Sequence, residues 1–129
     1  MFTVEQIQNA HLKVKSGAEF PSYIQEIKKF GVTAFETGVK DSHTKYFGND
    51  DFSTTSLPKY DDLLIVDEVN KDKFSAYLKS HQQGQTEYYT FCKNCAETGI
   101  EKWFVCLDKM TCTYYDKAGN EILIENVPQ

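Results

Sequence analysis

Two stretches of this chain carry the same plan. Residues 19–47 read EFPSYIQEIKKFGVTAFETGVKDSHTKYF, and residues 87–115 read EYYTFCKNCAETGIEKWFVCLDKMTCTYY. Laying Gly31 on Gly99 sets an offset of 99 − 31 = 68 positions. Val32 then meets Ile100, Phe35 meets Trp103, Val39 meets Leu107, and Tyr46-Phe47 meets Tyr114-Tyr115. In the segment before each glycine, Tyr23 meets Phe91, and Ile24 and Ile27 meet Cys92 and Cys95. Self-similarity at a fixed offset is the mark of a repeated supersecondary unit. Each copy reads as an amphipathic helix, a glycine stop and two strands.

Extending the pattern outward gives the whole plan. Thr3 with Gln6 forms a capping box, with Phe2 and Ile7 placed for a hydrophobic staple. A first helix is predicted to about Lys15, with Gly17 as its stop. Pro21 suits the first turn of a second helix, whose inner side is Phe20, Tyr23, Ile24, Ile27 and Phe30. Val32 to Val39 and Thr44 to Phe47 read as strands, as does Phe52 to Thr55. Leu63 to Val66, short and aliphatic, reads as a buried strand. Asn70 caps a third helix striped by Phe74, Tyr77, Leu78 and His81, and closed by Gly84. Thr86 is expected to cap the fourth. Strands at Trp103 to Leu107, Thr111 to Asp116 and Glu121 to Glu125 complete the chain. The expectation is one α+β domain over residues 1–129: an antiparallel sheet with about four helices, in two pseudo-repeated αα-βββ halves near 3–55 and 70–125.

Charge narrows the function classes. The net charge is −5, and all 14 basic residues are lysines. With no arginine the chain lacks the planar fork that grips phosphate or guanine, and no nucleic-acid partner is expected. The longest aliphatic run is Leu63-Leu64-Ile65-Val66, too short to span a bilayer. The stretch MFTVEQIQNAHLKV has no basic region followed by an apolar one, so no signal peptide is expected, and the four cysteines are expected reduced, in the cytoplasm.

The cysteines pose the sharpest alternative. Cys92 and Cys95, with Cys106 and Cys112 downstream, could assemble a four-thiolate zinc site or a redox pair. Against both, Cys92 and Cys95 lie within a helical stripe and match Ile24 and Ile27, which are core positions; free cysteine packs as a small hydrophobe. His11 and His81 stand near the ends of the first and third helices, where imidazolium suits the last carbonyls. A ligand or proton-transfer role shared by the two is the alternative. No nucleophile elbow, phosphate loop or dinucleotide-binding glycine motif occurs, and no catalytic residue or cofactor is assigned.

The segments FPSYIQEIKKFGV, HQQG, FCKNCAETGIEKW and TCTYYDKAGNEIL carry a resemblance. Over nearly its whole length the chain resembles the YdfO-like proteins, small bacterial and prophage-associated sequences often labelled "phage envelope protein". The resemblance implies no activity and no catalytic residues.

Charge, composition and pseudo-repeat together point to a small binding or interaction module, taking a protein partner or a small ligand in a groove between the halves. A small enzyme using cysteine or histidine chemistry, and a zinc-stabilised domain, are the alternatives. A junction between related halves is a natural crevice, so the ligand-binding residues are expected to be His43, Tyr46, Trp103 and Tyr114.

Overall fold

The computed structural model describes residues 2–14 and 19–127. Among them are four helices, α1 (Val4–His11), α2 (Phe20–Phe30), α3 (Lys71–Gln82) and α4 (Tyr88–Glu97). Six strands accompany them: β1 (Ala34–Gly38), β2 (Thr44–Phe47), β3 (Ser53–Thr55), β4 (Lys102–Cys106), β5 (Thr111–Tyr115) and β6 (Glu121–Asn126). The strands form one antiparallel sheet in the order β3-β2-β1-β4-β5-β6. The fold is α+β, and its helix–strand order runs twice.

The repeat is reproduced bond for bond. Gly31 (φ 106°) and Gly99 (φ 87°) both turn left-handed where α2 and α4 end. The next residue closes the helix each time, Val32 N to Ile27 O at 3.2 Å and Ile100 N to Cys95 O at 2.9 Å. These are Schellman closures, and only glycine enters that region without a Cβ penalty. The β1–β2 register, Ala34 opposite Phe47, is the β4–β5 register, Lys102 opposite Tyr115, displaced by the same offset. Even the hairpin loops agree: Ser42 (φ 62°) and its counterpart Met110 (φ 51°) are both left-handed.

Alternation along the strands sorts the sheet into two faces. Phe35, Thr37, Thr44, Tyr46, Trp103, Val105, Cys112 and Tyr114 are all buried. They share one face by register, and the apolar ones join a single core with Ile7, Ile24, Ile27, Phe74, Leu78, Phe91 and Cys95 from the four helices. Phe35 and Trp103 therefore lie in the same layer. The other face carries Glu36, Lys45, Phe47, Lys102, Phe104, Cys106, Tyr115 and Ile124, none of which belongs to that core.

Four local expectations are corrected. The first helix ends at His11, short of Lys15; that residue and Gly17 lie outside the described residues. Leu63 to Val66 is not a strand. Its amides reach elsewhere, Leu63 N to Lys40 O at 2.7 Å and Val66 N to Ala96 O at 3.0 Å. The segment thus strings a hairpin loop to α4 rather than running along a strand; Ile65 is buried while Leu64 is 85% exposed. The fourth helix is capped by Glu87 without a side-chain bond, while Thr86 is held by α3: His81 Nδ1 lies 3.1 Å from both its carbonyl and its hydroxyl oxygen. The strand predicted from Val32 begins at Ala34, since Val32 is engaged in closing α2.

Candidate functional site

The sheet itself separates the four residues expected to bind a ligand. Tyr46, Trp103 and Tyr114 are on the helix-covered face and buried. Tyr46 packs on Phe35 with ring centroids 5.8 Å apart, and Trp103 on Tyr114 at 6.3 Å. Tyr23 and Tyr46 share a hydroxyl hydrogen bond, and burial raises both phenols. Tyr114 donates to Glu125 at 3.1 Å and is raised by burial too. His43 stands apart: its ring lies where a Cβ on Gly38 would sit, 2.8 Å from that position, so it rests over the uncovered face. Its Nδ1 is hydrogen-bonded to Asp41.

The cysteines are likewise divided. Cys92 and Cys95 on α4 and Cys112 on β5 are buried on the covered side; Cys106, half-buried, is on the other. Four thiolates on two sides of a sheet cannot share one ion. Burial pushes the Cys92 thiol up, and the Cys95 thiol well up; the Cys112 thiol rises to about 12, again by burial first. A buried thiol in apolar surroundings is inert. His11 and His81 are no pair either. His11 packs edge-on against Tyr23 at 5.1 Å, and His81 stacks on Phe91, the counterpart of Tyr23, at 4.5 Å.

A polar cluster that sequence reasoning missed surrounds Cys92. Tyr60 donates to the Val39 carbonyl at 2.6 Å, Tyr88 shares a hydrogen bond with buried Ser42 at 2.5 Å, and both phenols reach the Cys92 thiol. The Lys59 ammonium sits over the Tyr88 ring at 5.4 Å. Burial raises both tyrosines, so the network holds its protons. Such a network fastens α4 to the β1–β2 hairpin, across the junction of the halves. It is a seam between the two halves.

Concavities lie elsewhere. One of ≈ 110 Å³ sits between α1 and α2 beside Ala10, Val14, Ser22 and Tyr23, well below the usual volume of a ligand pocket. An open depression of ≈ 770 Å³ runs along the outer flank of α2 past Lys13, Gln25 and Lys29. Neither touches the four expected residues.

The uncovered sheet face gathers side chains that lie outside the core. Phe47 and Tyr115 are counterparts in the repeat, and each has a lysine ammonium over its ring: Lys45 at 5.1 Å and Lys102 at 5.4 Å. Phe104 lies between them in the sheet, with its ring 6.3 Å from that of Phe47. Ile124 on β6 is 54% exposed. Glu36 takes a central place, opposite Lys45 and 3.6 Å from the Lys102 ammonium. The signal for this face was present in the alternation of Phe104 and Cys106 against Trp103 and Val105. Missing was any sign of which face the helices would leave bare.

The model of a family described as "Protein of unknown function (DUF1398)" matches residues 8–126, and the chain belongs to that family. No curated protein matches it.

Proposed function

We propose that this family member is an interaction module that docks a protein partner on the uncovered face of its sheet. One observation carries the reading: four helices share one side of a six-stranded sheet, and the other side holds Phe47, Phe104, Tyr115 and Ile124 outside the core. Phe47, Phe104 and Tyr115 are half-buried and Ile124 is exposed, and apolar surface edged by polar groups is a recognised mark of protein contacts. The aromatic residues supply large contact area at small entropic cost. The groove between the halves is a weaker candidate, because the halves meet through a continuous β1–β4 ladder over a filled core. Cysteine chemistry is disfavoured by the raised thiols of Cys92, Cys95 and Cys112. The four free thiols suit a reducing compartment such as the cytoplasm. The prophage association implied by the YdfO-like resemblance fits an accessory protein of this sort.

The test places a photo-activatable cross-linker at position 104, and at position 25 on the helical side as control, in the living host. Discrete protein adducts from position 104, absent from position 25 and lost on adding Phe47→Glu, are expected. No adduct at 104, or the same adducts from both positions, would remove the proposal.

A further inference from the structure

We infer that the occupant of the uncovered face is a second copy of this chain, packed sheet against sheet; the inference rests on reading that face as a docking surface. Charge is the first argument. The chain is −5 overall, so two copies repel on most approaches. The uncovered face is the exception. Its strands carry Lys45 and Lys102 against Glu36 and Glu121, the last paired opposite Tyr115, two positive and two negative. A balanced, mixed face permits a two-fold contact in which lysines of one copy meet glutamates of the other.

Area is the second argument. The sheet has six strands of three to six residues. With strands about 4.8 Å apart and a rise of about 3.3 Å per residue, the strands span roughly 440 Å² per copy. Two copies would bury roughly 900 Å², the size of a weak, transient contact. That size suits a weak dimer, with a dissociation constant on the order of 100 μM. Packing sheet on sheet also places the three rings in a shared interior about 10 Å thick.

Rings beside lysines can also stack nucleic-acid bases, but single-strand binders add a positive groove for the phosphates. A face with equal numbers of lysines and glutamates supplies none.

Sedimentation equilibrium on the purified full chain, with Glu36→Lys and Lys102→Glu variants, tests the proposal. Glu36→Lys leaves three lysines against one glutamate on the face; Lys102→Glu leaves one against three. The wild type is expected to be largely dimeric at about 1 mM, each variant alone monomeric, and their equimolar mixture dimeric again. Phe104→Glu, with circular dichroism to confirm folding, is expected to be monomeric and not rescued by either charge variant. A wild type still monomeric at about 1 mM overturns the inference. A dimer unchanged in all variants also overturns it, by placing the contact elsewhere. If the wild type is monomeric but position 104 cross-links to other proteins, self-association falls and the docking face survives. Binding of a labelled single-stranded oligonucleotide by monomeric wild type, lost in Phe104→Glu, would overturn both.

Discussion

Glu36 and Phe104 stand directly opposite each other at the centre of the β1–β4 ladder, and each is the other's counterpart in the internal repeat. An approximate two-fold axis therefore passes between them, normal to the sheet. The backbone obeys it closely. Val39 N donates to Glu101 O at 2.8 Å, and the related Leu107 N donates to Thr33 O at 3.0 Å. Thr33 N to Phe47 O and Glu101 N to Tyr115 O, another related pair, are both 2.8 Å. Side chains depart from the symmetry where packing does not enforce it. The Thr37–Thr44 hydroxyl pair at 2.8 Å takes the place that Val105 and Cys112 hold in the other half. On the axis a carboxylate faces a phenyl ring, which gives the uncovered face both its charge and its apolar centre.

The two helix-ending glycines are related by the axis, yet they differ in what surrounds them. A Cβ on Gly31 would meet nothing nearer than Phe2 at 3.8 Å, so Gly31→Ala pays only for the left-handed backbone, about 1–2 kcal/mol. A Cβ on Gly99 would lie 3.0 Å from both Glu68 O and Val69 Cα, which are backbone atoms and cannot swing away. Gly99→Ala is expected to cost at least about 1 kcal/mol more than Gly31→Ala in urea unfolding, with unchanged m. Equal costs would mean that the Glu68–Val69 segment gives way freely.

The Cys92 seam predicts a coupling. Tyr88→Phe removes the hydrogen-bond partner of Ser42, whose side chain is fully buried, and should cost about 1–3 kcal/mol. Ser42→Ala made in the Tyr88→Phe background should then cost much less than it does alone. A double-mutant cycle with no coupling energy would show that another group satisfies Ser42.

Repeated elements were the legible part of the sequence, because each carries two agreeing signals. The helix-ending glycines and the core positions at Ile24, Ile27, Cys92 and Cys95 all followed from the offset of 68 that joins Gly31 to Gly99. Illegible were features outside the repeat or set by tertiary competition. Leu63 to Val66 has strand composition, but its amides are taken by Lys40 and Ala96. Thr86 has cap chemistry, but His81 engages its hydroxyl. For the site, period-two alternation sorted Trp103 from Phe104 but could not say that all four helices would choose the Trp103 side. His43 was grouped with residues that lie across the sheet from it.

Buried ionisable groups set the pH range of stability from both ends. The Cys112 thiol rises from an ordinary value of about 9 to about 12, through burial first. Its folded state holds the proton while the unfolded chain releases it. The stability it contributes is full below about pH 9 and is lost as pH climbs toward 12. His81 is opposite in sign: burial lowers it from 6.5, so the folded state prefers it neutral. Its contribution is full above pH 6.5 and is lost on acidification. Urea midpoints should therefore fall at both ends. His81→Gln should flatten the acid limb and Cys112→Ala the alkaline limb. Unchanged limbs in those variants would assign the pH dependence to other groups.

Trp103 and Phe104 are neighbours in sequence on opposite faces of one strand, and they separate folding from docking. Trp103 is 9% exposed and lies among Tyr88, Phe91 and Tyr114, with ring centroids 5.9–6.3 Å away. Trp103→Ala removes a large ring from the core and should cost about 3–5 kcal/mol. Phe104 has Phe47 as its ring neighbour and no helix over it. Phe104→Ala should cost on the order of 1 kcal/mol in a monomeric chain, the scale of one cross-strand pair. Its larger effect should be on association, which a central aromatic truncation weakens by tenfold or more. Denaturation must be read at low protein concentration, where the dimer has dissociated, so that the two effects do not mix. If Phe104→Ala destabilises the dilute chain as much as Trp103→Ala does, that face is part of the folded core, and its role as a docking surface ends there.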